Sequence, residues 1–298
     1  PPPPPPCFFL TPTTQHPILS GLVGSEMCIR DRFVTLPSKY EFYPEGTIEV
    51  PESKEIAVYP MTAKDEMLFK TPDALLNGEA TVQVIQSCIP QIKNAWAMPS
   101  IDCDAALIAI RMATYGESMT LPVTVPGTKI EKDLELNLQE TLTTILGATY
   151  KDTFLYENME IKTRPLSYAE FTASALKQFE QARLQSVIND TELTDEEKIR
   201  EFQKSFTKLT ELNVGMVSQT IRSIRVDGET VTDKGMIKDF IDNTSKAFFK
   251  AIMDHLEENR KAFQLAPQKV ISTEEEVKGG APAEYTVPVA FDSANFFG

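Results

Sequence analysis

The chain has 298 residues, of which 29 are basic and 43 acidic, so its formal charge is −14. This balance argues against a nucleic-acid-binding protein, because phosphate contacts need a basic face and no segment is dominated by lysine and arginine. Only two of the four cysteines, Cys88 and Cys103, lie after residue 32, and two cysteines do not make a disulfide framework. The sequence also lacks a run of about 18 apolar residues, so we expect no membrane span.

The first 32 residues do not read as part of a folded domain, because they show no periodic apolar pattern. Leu22–Asp31 is the translation of a transposase adaptor used to prepare sequencing libraries, and Pro1–Pro6 matches translated poly-C. We therefore expect residues 1–32 to be artefactual, disordered and without a role in the fold, with the natural start of the protein missing. A chain that begins at Phe33 is predicted to keep the thermal midpoint of the full chain.

The next segment reads as short strands and turns. Thr47–Val50 and Glu55–Tyr59 are rich in β-forming residues. The turn-forming residues between them favour a hairpin.

Three helices are predicted to follow. Thr62 lies three residues before Asp65, which is the spacing of a capping box at the start of a helix. A second helix covers Glu79–Ile89. A third covers Ser100–Tyr115 and ends at Gly116, a common helix stop.

A change of period predicts a second hairpin. Leu121, Val123 and Val125 alternate with other residues, as one face of a strand does. Pro126-Gly127 favours a type II turn, and the alternation resumes from Ile130 to Leu138. A return to helix is expected at Thr141–Leu146.

From Leu166 onward the pattern is helical. A helix is predicted for Ser167–Ile188, and Thr194 with Glu197 forms a capping box for the next one. That next helix carries an apolar seam, either the inner face of the chain's own bundle, which we favour for its short length, or a coiled-coil contact with another chain. The seam comprises Ile199, Phe202, Phe206, Leu209 and Met216. A further apolar face starts after Thr232-Asp233 and comprises Ile237, Phe240, Ile241, Phe248, Ile252, Leu256 and Phe263.

The C-terminal part returns to extended structure. Glu274–Glu276 is read as a solvated charge run and Lys278–Ala283 as a linker. The strand after this linker is a candidate assembly interface, because its apolar side chains are costly to leave in water. It docks either on the Val123–Leu138 hairpin of its own chain or on a partner. The candidate interface residues are Tyr285, Val287, Val289, Phe291, Phe296 and Phe297.

These elements predict an α+β fold, with N-terminal hairpins and packed helices, a helical second half and a C-terminal extended strand. The expected organisation is an α+β domain over residues 33–165, a helical region over 166–266, and a linker with the C-terminal strand over 267–298.

A search for catalytic motifs gives weak candidates only. Asp102-Cys103-Asp104 resembles a metal or nucleophile cluster, but the first turn of a helix favours such negative charge for structural reasons. His255 lies beside an apolar stripe without an activating partner nearby in sequence, and Cys88 reads as a small buried residue. Trp96 fits either the core or a contact, and the core is favoured. We therefore expect no catalytic residue, no cofactor and no metal.

Four segments of the chain resemble a known protein family, and this resemblance indicates a role for the protein. The segments Leu36–Gly46, Ile56–Met61, Thr62–Pro90 and Met98–Gly116, in this order, resemble the T-even-type bacteriophage baseplate protein family, which includes a central hub subunit of contractile tails. The strongest resemblance covers about residues 36–140. Some relatives carry cysteine pairs in the hairpin region. This chain has none near that hairpin, so the resemblance implies no zinc-supported hairpin here.

The resemblance implies a non-catalytic virion protein of a myovirus-like contractile tail, a hub-type subunit assembled in the bacterial cytoplasm. Its partners would be other baseplate and tail proteins, and the sequence does not define its oligomeric state. Two alternatives stay open: a non-virion chaperone of hub assembly, and an enzyme that uses Asp102, Cys103 or His255.

Overall fold

The computed structural model describes residues 32–71, 78–177, 195–265 and 267–287, without the side chains of residues 195–198, 201, 202 and 205. Helices and small antiparallel sheets alternate along these residues, so the fold class is α+β, as predicted. The helices are α1 Ala63–Phe69, α2 Glu79–Cys88, α3 Ser100–Tyr115, α4 Leu138–Gly147, α5 168–177, α6 Asp195–Thr220, α7 Lys234–Asp242, α8 Lys246–Ala262 and α9 Glu274–Lys278. The strands are β1 Arg32–Val34, β2 Ile56–Val58, β3 Ser118–Thr124, β4 Glu131–Asn137, β5 Thr153–Tyr156, β6 Met159–Thr163, β7 Ile221–Val226, β8 Glu229–Val231, β9 Gln268–Ile271 and β10 Glu284–Val287.

The predicted hairpin between Thr47–Val50 and Glu55–Tyr59 does not form. Strand β2 instead pairs antiparallel with β1, and Ile48 makes an isolated bridge to Ile92. All three residues of β2 are buried, so this strand belongs to the core. Its partner β1 precedes the residues that were predicted to form the hairpin. Strand β1 starts at Arg32, the last residue of the segment expected to have no role, and Arg32 forms an ion pair with Glu117 at 3.0 Å.

Helices α1 to α3 build the larger hydrophobic core, and their prediction is confirmed. Thr62 and Asp65 form the predicted capping box of α1. Most of α3 is buried, because its sequence is apolar nearly all round, which is the pattern of a central helix. Gly116 ends α3 with φ 97°, a conformation that glycine adopts without steric cost.

The β3–β4 hairpin is also confirmed, with Leu121 opposite Leu134. Its base belongs to the larger core through Met119 and Leu136, both buried. Its far end, around Val125, belongs to a separate small cluster. The hairpin therefore connects two hydrophobic clusters.

A second core forms between helices and a four-stranded sheet in the order β5-β6-β7-β8. Ile161 of β6 and Ile224 of β7 pack there with residues of α7 and α8. Strands β7 and β8 interrupt the region 166–266, for which the sequence predicted helices. A turn at Asp227-Gly228 joins them, and the strands on either side of it are short and alternate imperfectly.

The segment after α8 is more ordered than a linker. β9 and β10 pair antiparallel, and α9 stands between them with a Thr273–Glu276 capping box. Glu276 is buried, so the prediction of a solvated charge run at Glu274–Glu276 is wrong for this residue. We call residues 267–287 the strap, because they cover the far end of the β3–β4 hairpin.

Some predictions lie outside the described residues. They are residues 1–31, the end of the Ser167–Ile188 helix, the Thr194 cap, and Val289, Phe291, Phe296 and Phe297. Within the described ranges, none of the helices is sufficiently long and apolar to cross a bilayer.

Candidate assembly surface

Asp102, the first residue singled out for chemistry, anchors a loop. Its side chain is fully buried in the first turn of α3. One carboxylate oxygen accepts from the Ser38 backbone N–H at 2.7 Å, and the other accepts from the Ser38 hydroxyl at 2.5 Å and the Tyr43 hydroxyl at 3.0 Å. The loop between Ser38 and Tyr43 contains three non-glycine residues with positive φ: Lys39, Tyr40 and Phe42. Asp102 thus holds a backbone conformation that is costly by itself.

The electrostatics of this site fit a structural role. Burial raises the pKa of Asp102 to about 6, although hydrogen bonds from Ser38 and Tyr43 lower it in part. Burial also raises the pKa of the neighbouring Cys103 thiol well above its usual value, so the reactive thiolate is disfavoured. Asp104, the third residue of the cluster, is half-buried.

His255, the second candidate, lies in the other core region. Its ring centroid is 5.1 Å from that of Phe154, and its Nε2 atom is 3.2 Å from the Asn259 amide nitrogen. Asn259 in turn donates to the Lys151 carbonyl and accepts from the Lys151 backbone N–H. Burial lowers the pKa of His255, which favours its neutral form. The histidine therefore packs beside an amide that fixes the chain at Lys151.

The remaining candidates are placed as core residues. Cys88 is buried, and burial raises its pKa to about 12. Trp96 is partly buried against the larger core, with its ring centroid 5.7 Å from that of Tyr168. Across the described residues, no three His, Cys, Asp or Glu side chains come together as a metal site would require.

Two of the predicted interface residues lie inside the strap. Tyr285 and Val287 are buried in a small cluster with Val125, Val270 and Ala281. The described part of the C-terminal strand thus docks on the hairpin of its own chain, one of the two placements that the sequence left open.

A polar latch, which the sequence did not reveal, holds the strap to the hairpin. The Lys132 ammonium donates to both carboxylate oxygens of Glu276, at 2.9 and 3.1 Å, and lies 5.5 Å from the centre of the Tyr285 ring. Glu276 lies 144 positions after Lys132, so no local pattern connects the two residues.

The apolar seam of α6 divides into two parts. Ile199 and Phe206 are exposed by 59% and 62%, whereas the last seam residue, Met216, is partly buried beside Val217 of the second core. Ile199 and Phe206 are two turns apart on one face of the helix. The favoured prediction of an internal bundle is therefore wrong for the first half of the seam, within the side chains that the structure describes.

Beside the second half of this seam lies a cleft of about 530 Å³. Met216 and Val217 of α6, Phe171 of α5 and Leu256 of α8 contribute its apolar lining. Arg164 also lines the cleft, and it forms an ion pair with Glu170 at 2.6 Å. Arg164 lowers the pKa of Glu170 to about 2 against the raising effect of burial, so this pair stays charged.

Comparison with known proteins agrees with the resemblance seen in the sequence. No curated protein and no solved structure matches the chain. The family model described as T4 bacteriophage base plate protein matches residues 43–277. This range includes Asp102 and Tyr43, most of the larger core, the second core, the α6 seam and both latch residues. The chain therefore belongs to the T4 bacteriophage base plate protein family and is a phage baseplate component.

Proposed function

We propose that the chain is a non-catalytic structural subunit of the baseplate of a contractile, myovirus-like phage tail. In this proposal it is a hub-type subunit, assembled in the bacterial cytoplasm, that acts through contacts with other baseplate and tail proteins. The observation that carries the proposal is the state of Asp102. Both carboxylate oxygens of this side chain are used by donors of its own chain, in a member of a baseplate family.

The other polar candidates support the same proposal. Asp102 lies in α3 and His255 in α8, and they pack in different hydrophobic regions. Catalysis by a nucleophile and a base needs the two groups within hydrogen-bonding reach. Cys103 is buried with a raised pKa, the opposite of an activated thiol.

Exposed apolar side chains provide contact surfaces for assembly. Ile199 and Phe206 present two large apolar side chains to solvent on one helix face. Large exposed apolar patches mark protein contact sites, and we propose this helix face as part of one. The predicted interface of Tyr285, Val287, Val289, Phe291, Phe296 and Phe297 remains part of the proposal.

The test is mass spectrometry of purified baseplates from the phage that encodes this chain. A structural subunit is expected in a fixed ratio to the other baseplate proteins. An assembly chaperone would be present in infected cells and absent from the purified particles. Absence from the particles would contradict the proposal and favour the chaperone.

Two substitutions test the enzyme alternative. We expect Asp102→Asn to cost about 1–2 kcal/mol of stability, because one acceptor is lost while the shape is kept. We expect Cys103→Ala to cost about 1–2 kcal/mol through a small cavity. Both variants should still enter baseplates at a temperature at which they are folded. If either variant folds, enters baseplates and still gives inactive particles, the side chain has a chemical role and the proposal is wrong.

A further inference from the structure

The strap has a hydrophobic cluster of its own. Val125, Val270, Ala281, Tyr285 and Val287 form this cluster, and neither main core contains any of these residues. A two-stranded sheet is marginally stable when isolated, so β9 and β10 depend on this small cluster. Segments with few buried apolar contacts open at a lower free energy than the main core.

What the strap covers is apolar. Val123 and Leu134 of the β3–β4 hairpin pack against the strap cluster, and Val125 of the same hairpin is fully buried there. The base of the hairpin is fixed separately, through Met119 and Leu136 in the larger core. Removal of the strap would therefore leave the hairpin in place and expose its far end.

The strap is closed by contacts that can be broken without disturbing either core. The Lys132–Glu276 latch lies between β4 and α9. In addition, the Gly127 turn packs against Gly280, where a Cβ atom on Gly127 would lie 2.6 Å from the Gly280 carbonyl oxygen. The chain before the strap is held in the larger core through Phe263 and Leu265.

We propose that the strap is a releasable cover, which opens as one unit while both main cores stay folded, and that the chain must open it to join the baseplate. The closed strap keeps Tyr285, Val287 and the far end of the hairpin buried in the free chain. Opening exposes both apolar surfaces for contact with a baseplate neighbour. The second part of this proposal rests on the proposed function, and the first part does not.

Hydrogen exchange on the purified full chain tests the opening. Amides of β9 and β10 are expected to exchange together, and faster than those of α3, at denaturant concentrations too low to unfold the chain. Lys132→Ala removes the latch and should speed their exchange about tenfold, which corresponds to about 1.4 kcal/mol. Lys129→Ala, at an exposed lysine on the same hairpin, is the matched control and should change nothing. If the strap exchanges only with α3, the strap does not open separately and the proposal is wrong.

A disulfide lock tests the need for opening. A Cβ atom on Gly279 would lie 3.8 Å from the Thr128 methyl group, and Gly279 has φ −78°, which any residue adopts. In Thr128→Cys/Gly279→Cys, the oxidised chain should stay folded with a closed strap. We expect it to enter baseplates, in extracts that lack the natural chain, at about one tenth of the level reached after reduction. The controls are the two variants that carry only one of the added cysteines, and peptide mapping verifies the bond between the added pair.

The outcomes separate the two proposals. If oxidised and reduced chains enter baseplates equally, opening of the strap is not needed for assembly. The second part of the proposal is then wrong. If the natural chain itself never enters baseplates, the proposed function fails, and hydrogen exchange still decides whether the strap opens. If the lock does not form or the locked chain unfolds, Lys132→Ala decides: faster opening should raise the rate of entry, and an unchanged rate overturns the proposal.

Discussion

The strap and the first half of α6 carry apolar faces of similar character but differ in what covers them. In the strap, Tyr285 and Val287 are exposed by 7% and 8%. In α6, Ile199 and Phe206 are exposed by more than half. The strap meets a complementary hairpin of its own chain, whereas this part of α6 has its apolar face in solvent.

This difference shows that the apolar character of a face and its exposure to solvent are separate properties. Periodicity identifies which side chains share a face, and burial depends on whether another element reaches that face. The strap is reached by a hairpin more than 130 residues earlier in the chain. The two regions therefore contribute differently to stability, and matched substitutions measure this difference.

The largest expected effect is at Tyr285. Tyr285→Ala removes a buried aromatic side chain from a five-residue cluster and should cost about 3–5 kcal/mol of the free energy that closes the strap. Amides of β9 should then exchange nearly as fast as in an unstructured peptide, while α3 keeps its protection. Protection of β9 equal to that of the natural chain would show that the cluster does not hold the strap.

A smaller loss is expected at the glycine contact. Gly127 has φ +78°, and an added Cβ would lie 2.6 Å from the Gly280 carbonyl oxygen. Gly127→Ala should therefore cost about 2–3 kcal/mol, from the left-handed conformation together with displacement of the strap. Gly46→Ala is the matched control, because Gly46 has φ +77° and nothing within 4 Å. Gly46→Ala should lower the free energy of unfolding by only about 1 kcal/mol, as measured by thermal or denaturant unfolding. Equal losses of stability in Gly127→Ala and Gly46→Ala would show that the contact with Gly280 does not contribute to stability.

The latch predicts a dependence on pH. The hydrogen bond from Lys132 lowers the pKa of Glu276 below its usual value of 4.5. Ionised Glu276 therefore stabilises the closed strap above pH 4.5, and this contribution is lost as pH falls through the lowered pKa of the folded state. Strap amides should exchange faster in Glu276→Gln than in the natural chain above pH 4.5. This difference in exchange rate should become smaller as pH falls below 4.5. Glu274→Gln, at an exposed position of the same helix, removes a charge without removing this ion pair and should change strap exchange much less.

The smallest effect on stability is expected in α6. Phe206→Ser should change the free energy of unfolding by no more than about 0.5 kcal/mol, because the side chain is 62% exposed. Denaturant unfolding of the isolated chain measures this. Leu155→Ser, at a side chain exposed by 70% in β5, is the control for an exposed apolar residue elsewhere. A loss of several kcal/mol at Phe206 would mean that the chain covers this face itself.

Local patterns were sufficient for the helices and for one hairpin. The capping box at Thr62, the extent of α3 and the β3–β4 hairpin follow from residues that are close in sequence. The same patterns missed β7 and β8, because short strands with imperfect alternation do not stand out beside long helices. They also paired β2 with the wrong partner, since a strand in a hydrophobic core can take its neighbour from any part of the chain.

For the candidate site, the sequence identified Asp102 and Glu276 by their charge but not the residues that they contact. Asp102 was chosen because it lies in an acidic cluster at a helix start. Its actual role follows from Ser38 and Tyr43, which reach it across about 60 residues. The same holds for Glu276, which was read as solvated because its neighbours are charged, whereas Lys132 pairs with it in the folded chain.

By itself, the sequence determined the α+β class, the membership of a baseplate family and the identity of the apolar faces. These properties follow from composition, local periodicity and ordered motifs. Only the tertiary structure decided that the strap buries its apolar face on the hairpin while Ile199 and Phe206 remain exposed. The physical reason is that burial and ion pairing are set by distances in space, and residues far apart in sequence carry no local signal of the partner they will meet.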